Sequence, residues 1–370
     1  MFHVFRRLFK ESVTHFEDLC NEIIFEIFEC LDYVHVCEAF FYLNQRFRSL
    51  LTNSHFFISI DAASMSKPAF LRYQKDFLDN NIHRIRSFRI SNVFMYDVIF
   101  SSIGKLSRFA RIETLILNNI AKECFEVLLD QFASLSFLSA LVITLADELM
   151  DRNHIYRRIF RLPALKYCKL SLIEYYKDDK PLPICTDEYS CSIEHLVITN
   201  VIYYRQIDGL LSYLPHLRCL SLHLPSYGLD ERIEVCHFAL NSLTHVSFQL
   251  DSMSFNHFAQ QIIDLRIHNL RVVYLTSNDV TSRDLCNADQ WQKLILIHMP
   301  NLRIFDVQFD MSAHTIGVRT FDDQLILKTQ IQQFTSPFWT ERQWFFAHHF
   351  YHSTVGGCRL MFYSVNPYRY

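Results

Sequence analysis

Apolar positions near the start of the chain are spaced as in short helices. Between residues 16 and 51, three apolar stripes recur at helical period, with charged residues on the opposite side of the first. The stripes consist of Leu19, Ile23, Ile24, Ile27, Phe28 and Leu31, then Val36, Phe40 and Leu43, and last Phe47, Leu50 and Leu51. Helices this short bury little surface by themselves, so the pattern predicts a helical module that docks on the rest of the chain or on a partner.

A second pattern, apolar-x-x-apolar-x-apolar, occurs nine times from residue 85 onward. Its copies begin at Ile85, Ile112, Leu138, Leu165, Ile193, Leu217, Leu243, Leu270 and Leu302. Consecutive copies start 24 to 32 residues apart, and helix-like stretches fill the intervals. This spacing is typical of leucine-rich repeats, in which a short parallel strand and a return segment complete their core only by stacking on neighbours.

The segments between these patterns carry their own signals. In the connector, FFISID predicts a short extended segment, and KPAFLRYQKDFL predicts a helix capped by Ser66. Residues 173–191 contain two prolines and mixed charge and predict a protruding loop. The longest interval between copies predicts an extra helix around Trp291.

The C-terminal segment is unusually aromatic. Residues 334–370 contain twelve aromatic side chains among 37 residues, against 15% in the whole chain. A terminal repeat needs a cover for its outer apolar face, so we expect a cap. The alternative is an aromatic recognition patch that includes Trp339 and Trp344, because tryptophan and tyrosine are common at binding hot spots.

Residues that alternate with the repeated apolar positions should share one face of the predicted sheet. Few of them carry a full charge, whereas tyrosine and histidine recur, which suits a protein or peptide partner better than nucleic acid. The candidate substrate contacts on this face are Tyr167, Lys169, His195, His223, His245 and Tyr274. The alternative is that this face binds nothing and holds residues that favour strands.

Composition narrows the partners further. The net charge is −3 and no basic run stands out, so we expect no nucleic acid. No apolar run is long enough to span a membrane, and we expect no membrane contact. The eleven cysteines are scattered, and none of them forms a C-x-x-C motif. The chain also contains no N-x-[ST] glycosylation sequon. These features predict a reducing setting and hence a cytoplasmic and/or nuclear location.

Motifs for catalysis or cofactor binding are missing from the sequence. None of the six glycines lies in a phosphate-binding loop or a nucleophile elbow, and H-E-x-x-H does not occur. The histidines of HHFYH, at 348–352, lack the further ligands of a zinc motif. We therefore expect no enzyme, no catalytic residues, no cofactor and no metal.

The N-terminal stripes resemble a known motif. The resemblance rests on Phe16-x-x-Leu19-x-x-Glu22-Ile23-Ile24-x-x-Ile27-Phe28-x-x-Leu31, followed by Phe40-x-x-Leu43-x-x-Arg46-Phe47-x-x-Leu50. This run resembles the F-box, a three-helix module that docks on the SKP adaptor of cullin–RING ubiquitin ligases. With the repeats that follow, the chain resembles the F-box and leucine-rich-repeat family of substrate receptors.

The resemblance implies an α/β chain in four parts: an F-box over residues 14–52, a connector over 53–81, a leucine-rich-repeat solenoid of about nine repeats over 82–310 and an aromatic-rich cap over 311–370. It implies an SCF-type ligase subunit that joins the adaptor to an unknown target protein. The implied adaptor contacts are Leu19, Cys20, Ile23, Ile24, Ile27, Phe28, Leu31 and Phe40. The alternative is a non-catalytic scaffold with a vestigial F-box, supported by Cys20 where the family usually has proline.

Overall fold

The chain folds into a mixed α/β structure around one twelve-stranded sheet. The computed structural model describes residues 15–31, 33–52, 57–63, 65–91, 95–96, 98–99, 106–149, 151–174, 180–185, 191–225, 240–251, 254–280, 283–353 and 357–365. The strands are β1 (Ile58–Asp61), β2 (Ile85–Ile90), β3 (Thr114–Ile120), β4 (Ala140–Leu149), β5 (Tyr167–Glu174), β6 (His195–Val201), β7 (Cys219–Leu224), β8 (His245–Leu250), β9 (Val272–Val280), β10 (Ile304–Ser312), β11 (Phe346–Ser353) and β12 (Gly357–Ser364). The α/β class expected from the sequence is therefore confirmed.

The described helices lie before and between these strands. They are α1 (Asn21–Glu29), α2 (Tyr33–Phe40), α3 (Gln45–Thr52), α4 (Lys67–Tyr73), α5 (Asp79–Asn81), α6 (Lys122–Leu129), α7 (Asn153–Phe160), α8 (Tyr204–Ser212), α9 (Phe255–Asp264), α10 (Ala288–His298), α11 (Phe321–Gln332) and α12 (Pro337–Thr340). A π-helical segment, Gln74–Leu78, joins α4 to α5. The helix predicted around Trp291 is α10.

From β1 to β10, each strand pairs in parallel with the next strand along the chain. Parallel neighbours need a crossover connection, and α6 to α10 lie within such connections. All three apolar positions of each of the nine repeated copies are buried, with none more than 7% exposed. The repeated sequence pattern therefore forms the continuous core behind the sheet.

Register along the sheet follows the same pattern. The middle apolar residue of each copy pairs with the middle residue of the next. This row consists of Phe88, Leu115, Leu141, Cys168, Leu196, Leu220, Val246, Val273 and Phe305. The middle residues therefore form one row across the sheet. Because successive residues of a strand point to opposite faces, the residues that alternate with the buried positions form parallel rows on the other face.

The connector belongs to the sheet. Its predicted extended segment is β1, which pairs with β2 and so adds a strand ahead of the first repeated copy. Its predicted helix is α4, where the Ser66 hydroxyl accepts a hydrogen bond from the Ala69 amide at 3.4 Å. Both local predictions are confirmed, and α2 of the N-terminal module packs against β1.

The prediction of a protruding loop over 173–191 is wrong for its described middle part. Leu182 is buried, and the carbonyl of Lys180 accepts a hydrogen bond from Gln206 of α8 at 3.1 Å. The Cys185 amide donates to the Ser212 hydroxyl at 2.9 Å. Residues 180–185 therefore pack on α8, because a buried leucine and satisfied backbone groups outweigh the polar residues around them. Residues 175–179 and 186–190 lie outside the described part.

The C-terminal segment turns back on the last parallel strand. β12 pairs antiparallel with β10, and β11 forms the edge beyond it. Trp339 and Trp344 are buried against Phe305 of β10, with ring centroids 6.0 and 5.9 Å away. The alternative interpretation of these two tryptophans as a surface recognition patch is therefore wrong, since they cover the end of the core.

Candidate functional site

The three N-terminal helices pack around a cluster of phenylalanines. The Phe40 ring lies 5.2 Å from Phe16, 5.1 Å from Phe28 and 5.4 Å from Phe47, centroid to centroid. Ile24 and Phe28 of α1 are fully buried in this cluster. One apolar stripe of α1 therefore forms the interior of the module, as in an ordinary amphipathic helix.

A second apolar stripe of α1 faces outward. Ile23 and Ile27 lie four residues apart, the spacing that puts side chains on one side of a helix, and we count with them Cys20 directly before α1 and Leu31 two residues after it. Ile23 is 41% exposed and Leu31 45% exposed, Cys20 is exposed, and Ile27 is half-buried. This helix is apolar on two sides, which a helix that only caps a domain does not need.

Arg46 of α3 fixes the segment that leads into α1. Its Nη2 donates hydrogen bonds to the Leu19 carbonyl at 2.6 Å and to the Asn21 side-chain oxygen at 2.7 Å. Its Nη1 donates to the Glu17 carbonyl. The sequence motif contains Arg46, but only the structure shows that it sets the position of the outward stripe.

The structure separates the eight predicted adaptor contacts into three groups. Ile24 and Phe28 lie in the interior, and Leu19 and Phe40 are partly buried against it. The remaining four form the outward stripe. The predicted adaptor contacts do not include Tyr42 and Leu43, although both are exposed in the turn between α2 and α3. Leu43 continues the second helical stripe, so its apolar character was the available signal.

The six predicted substrate contacts lie in three neighbouring rows of the sheet. Tyr167, His195 and His245 occupy one row, with Cys219 between the two histidines. Lys169 and Tyr274 occupy the next row, and His223 the third. The Tyr167 and His195 rings are 6.5 Å apart, and His223 Nε2 is 2.9 Å from Asp251 Oδ2. The face is shared, but its candidates are spread from β5 to β9.

A cavity of about 990 Å³ opens at the amino-terminal ends of β6 to β10. Of the six candidates, His195 and His245 line it. The sequence interpretation missed its arginines, Arg218, Arg271 and Arg303, each of which directly precedes a strand. Their common signal is a position one residue after the first apolar residue of a copy, outside the alternating positions considered for the face.

Electrostatics around this cavity do not favour nucleophilic chemistry. Cys219 lines the cavity, and burial raises the pKa of its thiol although Arg218 beside it acts in the opposite direction. A catalytic cysteine instead needs a lowered pKa. The pKa of His245 is lowered by burial, and further by His195 and Arg271. The cavity is thus suited to binding through hydrogen bonds and charge.

The histidines of HHFYH lie on β11, not on a helix. Successive residues of a strand point to opposite faces, so His348 and His349 do not converge. In the described part of the chain, no group of three histidine, cysteine, aspartate or glutamate side chains is placed to hold a metal ion.

No described helix has the length and apolar character that a membrane crossing requires. No protein-family model matches this chain, and no curated protein matches it. Function therefore has to be inferred from the residues themselves, and two surfaces stand out: the outward stripe of α1 and the cavity beside the sheet.

Proposed function

We propose that this chain is the substrate-recognition subunit of an SCF-type ubiquitin ligase. In this proposal residues 14–52 are an F-box that docks on a SKP-family adaptor in the cytoplasm and/or nucleus. Residues 82–310 are a leucine-rich-repeat solenoid that holds the target protein, with residues 311–370 as its cap. The chain supplies proximity, and other subunits transfer ubiquitin.

The outward stripe of α1 carries the proposal. A module that served only to cap the sheet would bury its apolar residues, whereas Ile23 and Leu31 remain exposed beside a complete phenylalanine core. Exposed apolar residues at helical spacing are typical of a helix that docks against a partner. The fixed approach of α1, held by Arg46, means that little order has to be gained on binding.

The sheet supports the second half of the proposal. Ten parallel strands in chain order present aligned rows of side chains, including Tyr167, His195 and His245. Extended faces of this kind suit protein partners, and tyrosine is enriched in such interfaces.

The first experiment is co-purification of the full chain with a SKP-family adaptor. Ile23→Asp should weaken adaptor binding roughly thirtyfold or more, because it places an unpaired charge in the docking face. Val127→Asp is the matched control, since Val127 is an exposed valine on α6. Phe28→Asp is unsuitable, because a charge in the phenylalanine cluster would unfold the module.

The scaffold alternative is favoured by one observation: the module shares its core with the sheet. On that hypothesis the folded, intact chain binds no adaptor, and Ile23→Asp changes nothing. Adaptor binding that survives Ile23→Asp together with Leu31→Asp would also exclude the proposed docking face.

A further inference from the structure

We propose that the cavity at the amino-terminal ends of β6 to β10 binds an acidic protein segment, with Arg271 and Arg303 as its carboxylate-binding residues. Arg218, Arg271 and Arg303, together with Thr244 between them, are called the arginine shelf. The inference rests on the proposed function only in taking the bound segment to belong to the ligase target.

Backbone hydrogen bonds connect the four residues of the arginine shelf in order. The amides of Thr244, Arg271 and Arg303 each donate to the carbonyl of the preceding shelf residue, at 2.9, 2.8 and 2.8 Å. Arg271 and Arg303 therefore lie side by side on neighbouring strands, which are about 4.8 Å apart. Like charges side by side repel each other, so an anion bound between the two arginines would relieve that repulsion.

The charged residues that continue this row across the earlier strands are paired with one another. Arg86 pairs with Glu113 at 3.2 Å, and Glu194 pairs with both Lys166 at 3.7 Å and Arg218 at 3.2 Å. Among the described residues, Arg271 and Arg303 have no carboxylate within ion-pair distance. Pairing of opposite charges along the row therefore ends at Arg218, the first of the three cavity arginines.

Polar groups around the pair complete the site. Asn269 donates its side-chain amide to the Asn241 carbonyl at 2.9 Å, which holds two cavity-lining turns together. Trp344 donates from its indole nitrogen to the Arg303 carbonyl at 3.0 Å and fixes the start of β10. His195 and His245 supply further donors from the floor. Arginines anchored in this way bind carboxylates without much loss of backbone freedom.

The cavity favours a protein segment over nucleic acid. The described residues that line it include no phenylalanine, tyrosine or tryptophan, which are the usual stacking platforms of single-strand-binding proteins. The chain as a whole carries a net charge of −3, whereas nucleic-acid-binding domains usually present a broad basic surface. A short run of glutamate or aspartate needs only the local pair of arginines.

The test measures binding of a fluorescein-labelled peptide of alternating glutamate and serine to the full chain by fluorescence polarisation. A peptide with glutamine in place of glutamate controls for the backbone, and the phosphoserine form of that glutamine peptide tests phosphate as the anion. Arg271→Gln with Arg303→Gln should weaken binding of the glutamate peptide about tenfold or more. Arg111→Gln with Arg319→Gln changes the same charge at exposed arginines outside the cavity and should leave the affinity unchanged.

The expected result is binding of the glutamate peptide that depends on the shelf and falls with added salt. The inference is overturned if the glutamate peptide does not bind, if the glutamine peptide binds equally, or if both double variants bind alike while folded. Tighter shelf-dependent binding of oligo(dT) or of the phosphoserine peptide would overturn the choice of a carboxylate ligand. Ile23→Asp should keep peptide binding, and the shelf variant should keep adaptor binding, so the two proposals fail separately.

Discussion

Arg84 donates a hydrogen bond from Nη1 to the backbone carbonyl of Leu51 across 3.1 Å. Leu51 lies in the last turn of α3, where helix carbonyls lack partners within the helix, and Arg84 directly precedes β2. Arg84 is only 4% exposed, and its Nη1 also donates to Asn81 Oδ1 at 2.7 Å. This contact joins the N-terminal module to the start of the repeated strands.

Replacing Arg84 by methionine should destabilise the chain by about 2–4 kcal/mol. The change removes two charge-assisted hydrogen bonds and the packing of a buried side chain, although the Leu51 carbonyl keeps the Tyr33 hydroxyl as a donor at 3.1 Å. Urea unfolding followed by circular dichroism measures the loss. Arg108→Met is the control, because its ion pair with Asp79 at 3.6 Å is exposed and should contribute less than about 1 kcal/mol. Equal losses for the two variants would contradict the role given to Arg84.

Cys20→Pro should stabilise the chain by about 0.4–1 kcal/mol. Cys20 is the N-cap of α1 with φ −67° and ψ 157°, a conformation that proline adopts without strain. Leu19 before it has φ −65° and ψ 145°, which a following proline requires. The gain comes from fewer conformations of the unfolded chain, and thermal unfolding at fixed pH measures it.

Cys30→Pro is the matched control for this change. Cys30 is also an exposed cysteine at an end of α1, but its amide donates to the Glu26 carbonyl at 3.3 Å and the Ile27 carbonyl at 3.2 Å. Proline there removes the donor and clashes with the preceding turn, which costs about 3 kcal/mol. If both proline variants lower the melting temperature, the N-cap geometry is not what makes Cys20 replaceable.

Gly209→Ala should destabilise the chain by about 1–3 kcal/mol despite the better helix propensity of alanine. A Cβ on Gly209 would lie 1.8 Å from the Leu182 carbonyl oxygen and 2.7 Å from its carbon. Because these are backbone atoms, residues 180–185 must move away from α8. Ser212→Ala, which removes the acceptor of the Cys185 amide and a hydroxyl donor to the Gly209 carbonyl without crowding the backbone, should cost about 1 kcal/mol. Urea unfolding of both variants checks the order; a neutral Gly209→Ala would exclude the close packing.

Binding of the glutamate peptide should tighten as the pH falls from about 8 to about 6. In the free protein the pKa of His245 is lowered by burial, and further by His195 and Arg271. A bound carboxylate favours the imidazolium, so it raises that pKa and binding takes up a proton. The peptide's glutamates stay ionised over this range.

Polarisation titrations at several pH values measure this effect. The other titratable or charged groups that line the cavity are His195 on β6, Cys219 on β7, and the arginines directly before β7, β9 and β10. His245→Gln should flatten the dependence, with His195→Gln as the comparison. Affinity that stays constant or weakens toward low pH would show that His245 does not face the bound anion.

The sequence predicted the interior of the sheet well. An apolar spacing that recurs nine times is decided by burial on one side of each strand, and burial is what periodicity reports. The prediction of the connector helix also depended on neighbouring residues, since Ser66 caps the helix that directly follows it. The prediction of an extended segment before that helix likewise depended on neighbouring residues alone.

What the sequence could not show depends on residues far apart in the chain. β1 joins the sheet through pairing with β2, and Trp344 reaches Arg303 across 41 residues of sequence. Ile23 and Ile24 are adjacent isoleucines, and only packing decides that one faces outward and the other inward. The arginine shelf appears only when strands are aligned, because its other members follow Arg218 by 26, 53 and 85 residues.

Because the strands pair in parallel in chain order, the number of strands sets the distance along the sheet between any two sites. The N-terminal module sits beside β1, and the arginine shelf begins at β7, six strand spacings or roughly 29 Å away along the sheet. That length can change only in whole strands of about 4.8 Å, whatever the length of the return segments. Evolution could therefore lengthen or shorten a return segment freely, whereas gaining or losing one repeat would shift anything held at the shelf by a fixed step relative to the module.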